Sequence, residues 1–199
     1  MELKKSIIAG MMICIASTLY VAIDNHIVGA ILFAFGLLTV FELNLNLFTG
    51  KAVDCKQYTF SEMFTFLIGN GIGCAIIGIF VLLSAKSNQL NETAYNLCVN
   101  KFSVSTINLY SSAILCGILM AIAVLANRIG TNIVSKSFIA IVCVAAFILI
   151  GGEHCIADIG YMVLGKYITL TSAIKMAFII VGNLMGSIII GGLYGVWDN

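Results

Sequence analysis

From Phe138 to Ile150 the chain is almost unbroken hydrocarbon; it then reads Gly151-Gly152-Glu153-His154 and turns apolar again at Cys155-Ile156-Ala157. Ionisable side chains at membrane depth cost a few kcal/mol on insertion scales, and they usually face a bundle interior or a water-filled path. The paired glycines lack Cβ and form helix poorly, which lets the segment break there. A helix broken at mid-membrane survives only where protein or a cavity satisfies its freed backbone groups. The stretch 148–162 is therefore the expected functional site.

Membrane depth is the right frame because 61% of the residues are hydrophobic and only 10% charged, more apolar than a soluble domain needs. A span takes about 20 mostly apolar residues, so 199 residues hold six spans with short loops and no further domain. The expected spans are 6–23, 27–47, 60–85, 106–126, 136–164 and 173–196, with a polar loop over 86–105. The first is read as a retained span, since it is longer than the apolar core of a signal peptide. A net charge of +1 argues against a nucleic-acid partner. The seven cysteines form no C-x-x-C pair, and His26 and His154 are the two histidines, so neither a metal site nor a disulfide framework is expected, and no cofactor.

The halves repeat. Ser6 to Ala16 reads like Ala113 to Ala123, and Ile68-Gly69-Asn70 to Gly73 reads like Val181-Gly182-Asn183 to Gly186. Each unit holds three spans, an odd number, so the second copy enters from the opposite face as an inverted repeat (about 1–85 and 106–199). In each unit the middle span is the interrupted one, at Leu47-Phe48-Thr49-Gly50 and at Gly152-Glu153-His154. Paired interruptions in matching positions point to a pathway at the repeat interface. Loop cations give the orientation: Lys4, Lys5, Lys51, Lys56, Arg128 and Lys136 on one side against Lys86, Lys101, Lys166 and Lys175 on the other. The richer side is the inner one, which puts both termini in the cytoplasm.

These residues resemble the formate/nitrite transporter family of small-anion channels. Leu47-Phe48-Thr49-Gly50 is similar to its LFTG/LFTS loop, and Gly152-Glu153-His154-Cys155-Ile156-Ala157-Asp158 to its G-F-E-H-S-x-A-N stretch. Gly69-Asn70 and Gly182-Asn183 fall where the family has glycine-asparagine pairs. The resemblance implies an all-α integral membrane protein with an aquaporin-like fold of six transmembrane helices. It also implies a homopentamer in a lipid bilayer, of bacterial inner-membrane type. Each protomer would carry a pore for formate, nitrite, hydrosulfide or similar monovalent anions. By the same resemblance His154 is the central pore histidine, Thr49 the loop threonine, Lys101 the vestibule lysine and Glu153 the glutamate before the histidine. Phe33, Leu37 and Phe147 match the constriction, with Leu47 and Phe48 on its other side. Gly117 and Asp158 depart from the pattern, each standing where formate channels carry an asparagine. A glycine beside His154 would leave space in the path, and Asp158 would be free to pair with Lys101. Both changes point away from formate toward a simpler anion such as hydrosulfide.

The chemistry fits such a path. Phe33 and Leu37, four apart, share one helix face. A bare anion crosses an apolar ring only if a positive field concentrates it or a proton neutralises it. Lys101 or the N-termini of the half-helices are candidates for the first role, and His154, whose ordinary pKa of about 6.5 allows both states near neutrality, for the second. A neutral-solute pore for water, ammonia or urea is the alternative, and a membrane enzyme using Glu153 and His154 the more distant one.

Overall fold

The computed structural model describes residues 1–197, and among these every regular element is a helix. In chain order they are α1 (Glu2–Val21), α2 (His26–Glu42), α3 (Phe48–Lys51), a 3-10 segment (Ala52–Gln57), α4 (Phe60–Leu82), α5 (Ser87–Ser103), α6 (Thr106–Ile129), α7 (Ile133–Leu149), α8 (Cys155–Leu164) and α9 (Leu170–Leu193). Four of them, α1, α4, α6 and α9, are 20 to 24 residues long and apolar enough to cross a membrane. The helix starts are written in the sequence. Asn25, in the expected turn, accepts from the amides of Ile27 and Val28, both at 3.0 Å, and Thr59 with Glu62 closes a reciprocal capping box at α4.

The interrupted segments are two half-helices separated by five extended or turning residues, 43–47 and 150–154. Both first halves end alike. Asn44 (φ 49) and Gly151 (φ 76) take the left-handed conformation. The next amide then reaches back to the helix, Leu45 to the Val40 carbonyl (2.9 Å) and Gly152 to that of Phe147 (2.6 Å). This is the Schellman closure, which satisfies carbonyls a helix end leaves open. Glycine and asparagine reach that conformation at least cost, so glycine breaks one segment and asparagine the other.

The second halves begin alike too. Asn70 on α4 accepts from the Phe48 amide (2.8 Å) and donates to the carbonyls of Ser6 (2.7 Å) and Asn46 (2.9 Å). Asn183 on α9 accepts from the Cys155 amide (2.9 Å) and donates to the carbonyls of Ala113 (2.8 Å) and Glu153 (2.7 Å). Each asparagine is fully buried. Each satisfies the free backbone groups of a break that has no water to turn to. Each also needs its neighbouring helix close by, and glycine permits that. A Cβ on Gly10 would strike the Asn70 backbone, and one on Gly117 that of Asn183.

Two expectations fail here. Leu47-Phe48-Thr49-Gly50 is not itself the break, since the chain opens at 43–47 and Phe48, Thr49 and Gly50 lie in α3. Within the expected loop 86–105, Ser87–Ser103 form a 17-residue helix, α5. Leu90, Ala94, Cys98 and Phe102, spaced by four, form its buried stripe. Its C-terminal end is held by Lys175, whose ammonium donates to the carbonyls of Phe102 (2.8 Å) and Val104 (2.6 Å). The outer surface is apolar: Ile31 and Phe35 on α2, Phe64 on α4, Ile122 on α6 and Phe178 on α9 are all exposed. Such a belt suits lipid or another subunit.

Candidate functional site

The two breaks bring the pore candidates together. Thr49, in the first turn of α3, is fully buried, and its Oγ1 lies 2.8 Å from Nε2 of His154, which is 2% exposed. His154 is also the N-cap of α8, where its Nδ1 accepts from the Ala157 amide at 3.1 Å. An amide can only donate, so Nδ1 is bare and the ring proton sits on Nε2. Nε2–H then donates to Thr49 Oγ1, which frees the threonine hydroxyl to donate onward. An imidazolium at this position would have to give up the α8 cap.

Apolar side chains enclose this contact. The Phe147 ring stacks on the His154 ring with centroids 5.7 Å apart, and meets the Phe33 ring edge-on at 6.1 Å and 86°. Phe33, Leu37, Leu47, Phe48 and Phe147 are all at most 4% exposed. A cavity of about 200 Å³ opens on either side. One is lined by Leu47, Lys51, Asp54, Asn127 and Arg128 among others, the other by Tyr20, Lys101, Phe147, Glu153, His154 and Asp158. Leu47 and Phe147 thus face opposite cavities. Phe33, Leu37 and Phe48 line neither, and Phe48 serves through its amide, held by Asn70.

Lys101 is helical, in the last turn of α5, and reaches two carboxylates: Glu153 at 2.5 Å and Asp158 at 3.2 Å. The Glu153 contact is a hydrogen bond, whereas both Asp158 oxygens lack a hydrogen-bonding partner although Asp158 is only 1% exposed. Lys101 is thus held by two carboxyl groups at once.

Gly117 needs correction. It lines neither cavity and leaves no space beside His154, because the Asn183 backbone fills the position where its side chain would go. It is a helix-packing residue of the α6–α9 seam. Several residues at the site went unnoticed in the sequence. Asn70 and Asn183 were visible as repeated glycine-asparagine pairs, but not as clamps on the breaks. Tyr20 and Tyr161, with ring centroids 6.0 Å apart, line the Lys101 cavity. Asp54, in the 3-10 segment, makes a two-point ion pair with Arg128 at the end of α6. Among the described residues no cluster of His, Cys, Asp or Glu is arranged to hold a metal ion.

The chain is 25% identical over 154 residues to the formate channel FocA of Haemophilus influenzae, a match that takes in 71% of this chain and 54% of that protein. It thus spans about half the length of that curated relative. Two solved structures share its fold. An FNT family ion channel superposes with a TM-score of 0.84 over 100% of this chain and 90% of its own, at 19% identity. A pentameric formate channel with formate bound gives 0.79 over 99% and 94%, at 20% identity. The formate/nitrite transporter family model matches residues 3–197. With several helices long and apolar enough to span a bilayer, the protein is an integral membrane protein, and it belongs to the formate/nitrite transporter family.

Proposed function

We propose that the protein is a channel for small monovalent anions of the formate, nitrite or hydrosulfide class, with one pore in each protomer of a homopentamer. The observation that carries this reading is the Thr49–His154 contact. It is a hydrogen-bonding pair of neutral side chains, set between apolar residues and flanked by a cavity on each side. Such a pair offers a passing solute hydrogen bonds in place of its hydration shell without holding it by charge. The path runs from the Lys51–Arg128 cavity past Leu47, Thr49, His154 and Phe147 to the Lys101 cavity. Phe33 and Leu37 back the ring, and Glu153 and Asp158 hold Lys101. The names of the relatives support an anion of this class, and the pentameric relative supports the assembly.

The membrane arrangement belongs to the same reading. Six spans form two inverted, aquaporin-like repeats in which α2–α3 and α7–α8 are the broken second and fifth spans, and both termini are cytoplasmic. The matched clamps of Asn70 and Asn183 and the matched turns at Asn44 and Gly151 support the repeat. The test is reconstitution in liposomes with a panel of formate, nitrite, hydrosulfide, chloride and acetate. Rapid flux of at least one of the first three, above empty vesicles, is expected. Water or ammonia flux without any anion flux would overturn the reading in favour of a neutral-solute pore.

A further inference from the structure

The two cavities carry different charge balances. The one lined by Tyr20 and Tyr161 holds a single cation, Lys101, engaged by two carboxyl groups, Glu153 and Asp158. The one on the far side of Thr49 holds two cations, Lys51 and Arg128, against a single carboxylate, Asp54. Arg128 is committed to Asp54 through both of its terminal nitrogens. Lys51 has no carboxylate within ion-pair distance among the described residues. Its ammonium lies 5.7 Å from the centroid of the Tyr58 ring, an aromatic face that holds a cation without cancelling its charge. Lys51 also ends α3, the short helix whose first turn carries Thr49. The Lys51 charge is therefore two residues from the hydroxyl at the pore centre, in a cavity whose apolar walls focus its field at low salt.

We propose that Lys51, not Lys101, supplies the anion-attracting field of this channel, and that the cavity it shares with the Asp54–Arg128 pair is the mouth at which small anions are concentrated. The inference rests on the anion-channel reading above. Asp54 and Arg128 serve it by holding the 3-10 segment against α6, which fixes the backbone from which Lys51 projects. Lys101 is then the holder of Glu153 and Asp158, and anions leave its cavity more readily than they collect there.

The experiment is anion flux through wild type, Lys51→Gln and Lys51→Arg in liposomes, at ionic strengths from about 0.01 M to 1 M, where the Debye length falls from about 30 Å to 3 Å. Lys51→Gln should run about five-fold slower than wild type at the low end and converge on it at the high end. Lys51→Arg should keep the wild-type rate throughout, since the charge is what acts. Lys101→Gln should not reproduce that salt-dependent loss. A Lys51→Gln rate equal to wild type at low salt, or reduced by one factor at every salt, overturns the proposal: the first means no field, the second a merely structural effect. Absence of anion flux in the wild type removes this inference together with the channel reading, whereas flux in the wild type with an indifferent Lys51→Gln removes this inference alone.

Discussion

His154→Phe is expected to cut anion flux by about 30-fold or more while the protein still elutes as one assembled species. The magnitude follows from what the ring supplies. A hydrogen bond to a charged group contributes about 2 kcal/mol in a site like this, and each 1.4 kcal/mol is a factor of ten. Phenylalanine keeps the stacking on Phe147 but offers the solute nothing polar opposite Thr49. It also removes the cap that Nδ1 provides to α8, which costs about 1 kcal/mol of stability. A companion variant separates the two effects. Thr49→Val deletes the hydroxyl at nearly constant shape and leaves the α8 cap untouched, so a drop in flux there reports the pore alone. Both variants conducting like wild type, in intact assemblies, would remove the Thr49–His154 contact from the path.

Which parts of this arrangement a sequence can carry depends on the distance over which each signal acts. The break at 150–154 is legible because glycine and ionisable residues inside an apolar run are local anomalies with a local physical meaning, whereas the first break falls at 43–47, ahead of the Leu47-Phe48-Thr49-Gly50 motif, whose last three residues already belong to α3. That Thr49 and His154, 105 residues apart, belong to one pore comes from family resemblance, and their direct contact is seen only in the structure. Helix α5 is not legible as an apolar segment because its composition is polar. Its buried stripe of Leu90, Ala94, Cys98 and Phe102 was there to be counted, but a membrane reading searches for apolar runs and passes over an amphipathic helix. The geometry of Lys101 depends on that helix, since Lys101 needs the last turn of α5 to reach Glu153 and Asp158 together. The sequence repeat pointed to Gly69-Asn70 and Gly182-Asn183, yet nothing in a linear pattern says that a side-chain amide will bridge a broken helix to its neighbour. The family's asparagine at the position of Gly117 carries no information about the Asn183 backbone that stands across the seam.

Gly117 gives the second large effect. Gly117→Asn, the change that would match the formate channels at this position, is expected to lower the stability of the folded assembly by about 3 to 5 kcal/mol, because its Cβ runs into the carbonyl of Asn183. Overpacking a core usually costs about 1–3 kcal/mol, with the upper end reached where the obstacle is backbone that cannot swing aside. Small residues at helix crossings in membranes exist to let backbones approach this closely. Relief by separation of α6 from α9 would pull Asn183 off the carbonyls of Ala113 and Glu153 and off the Cys155 amide. Each group left unpaired there adds about 1 kcal/mol or more. The comparison variant is Gly71→Ala on α4, where an added Cβ meets nothing within 4 Å. A helical alanine in place of glycine should leave the midpoint unchanged or raise stability by up to about 1 kcal/mol. The measurement is the temperature at which the assembled species is lost in detergent, read for both variants beside wild type. A wild-type midpoint for Gly117→Asn would mean that α6 and α9 part by the width of a side chain without disturbing the break between α7 and α8. Asn183 would then not be what holds His154 in line with Thr49, and the two half-helices would have to be set by the packing of Phe147 against Phe33 instead.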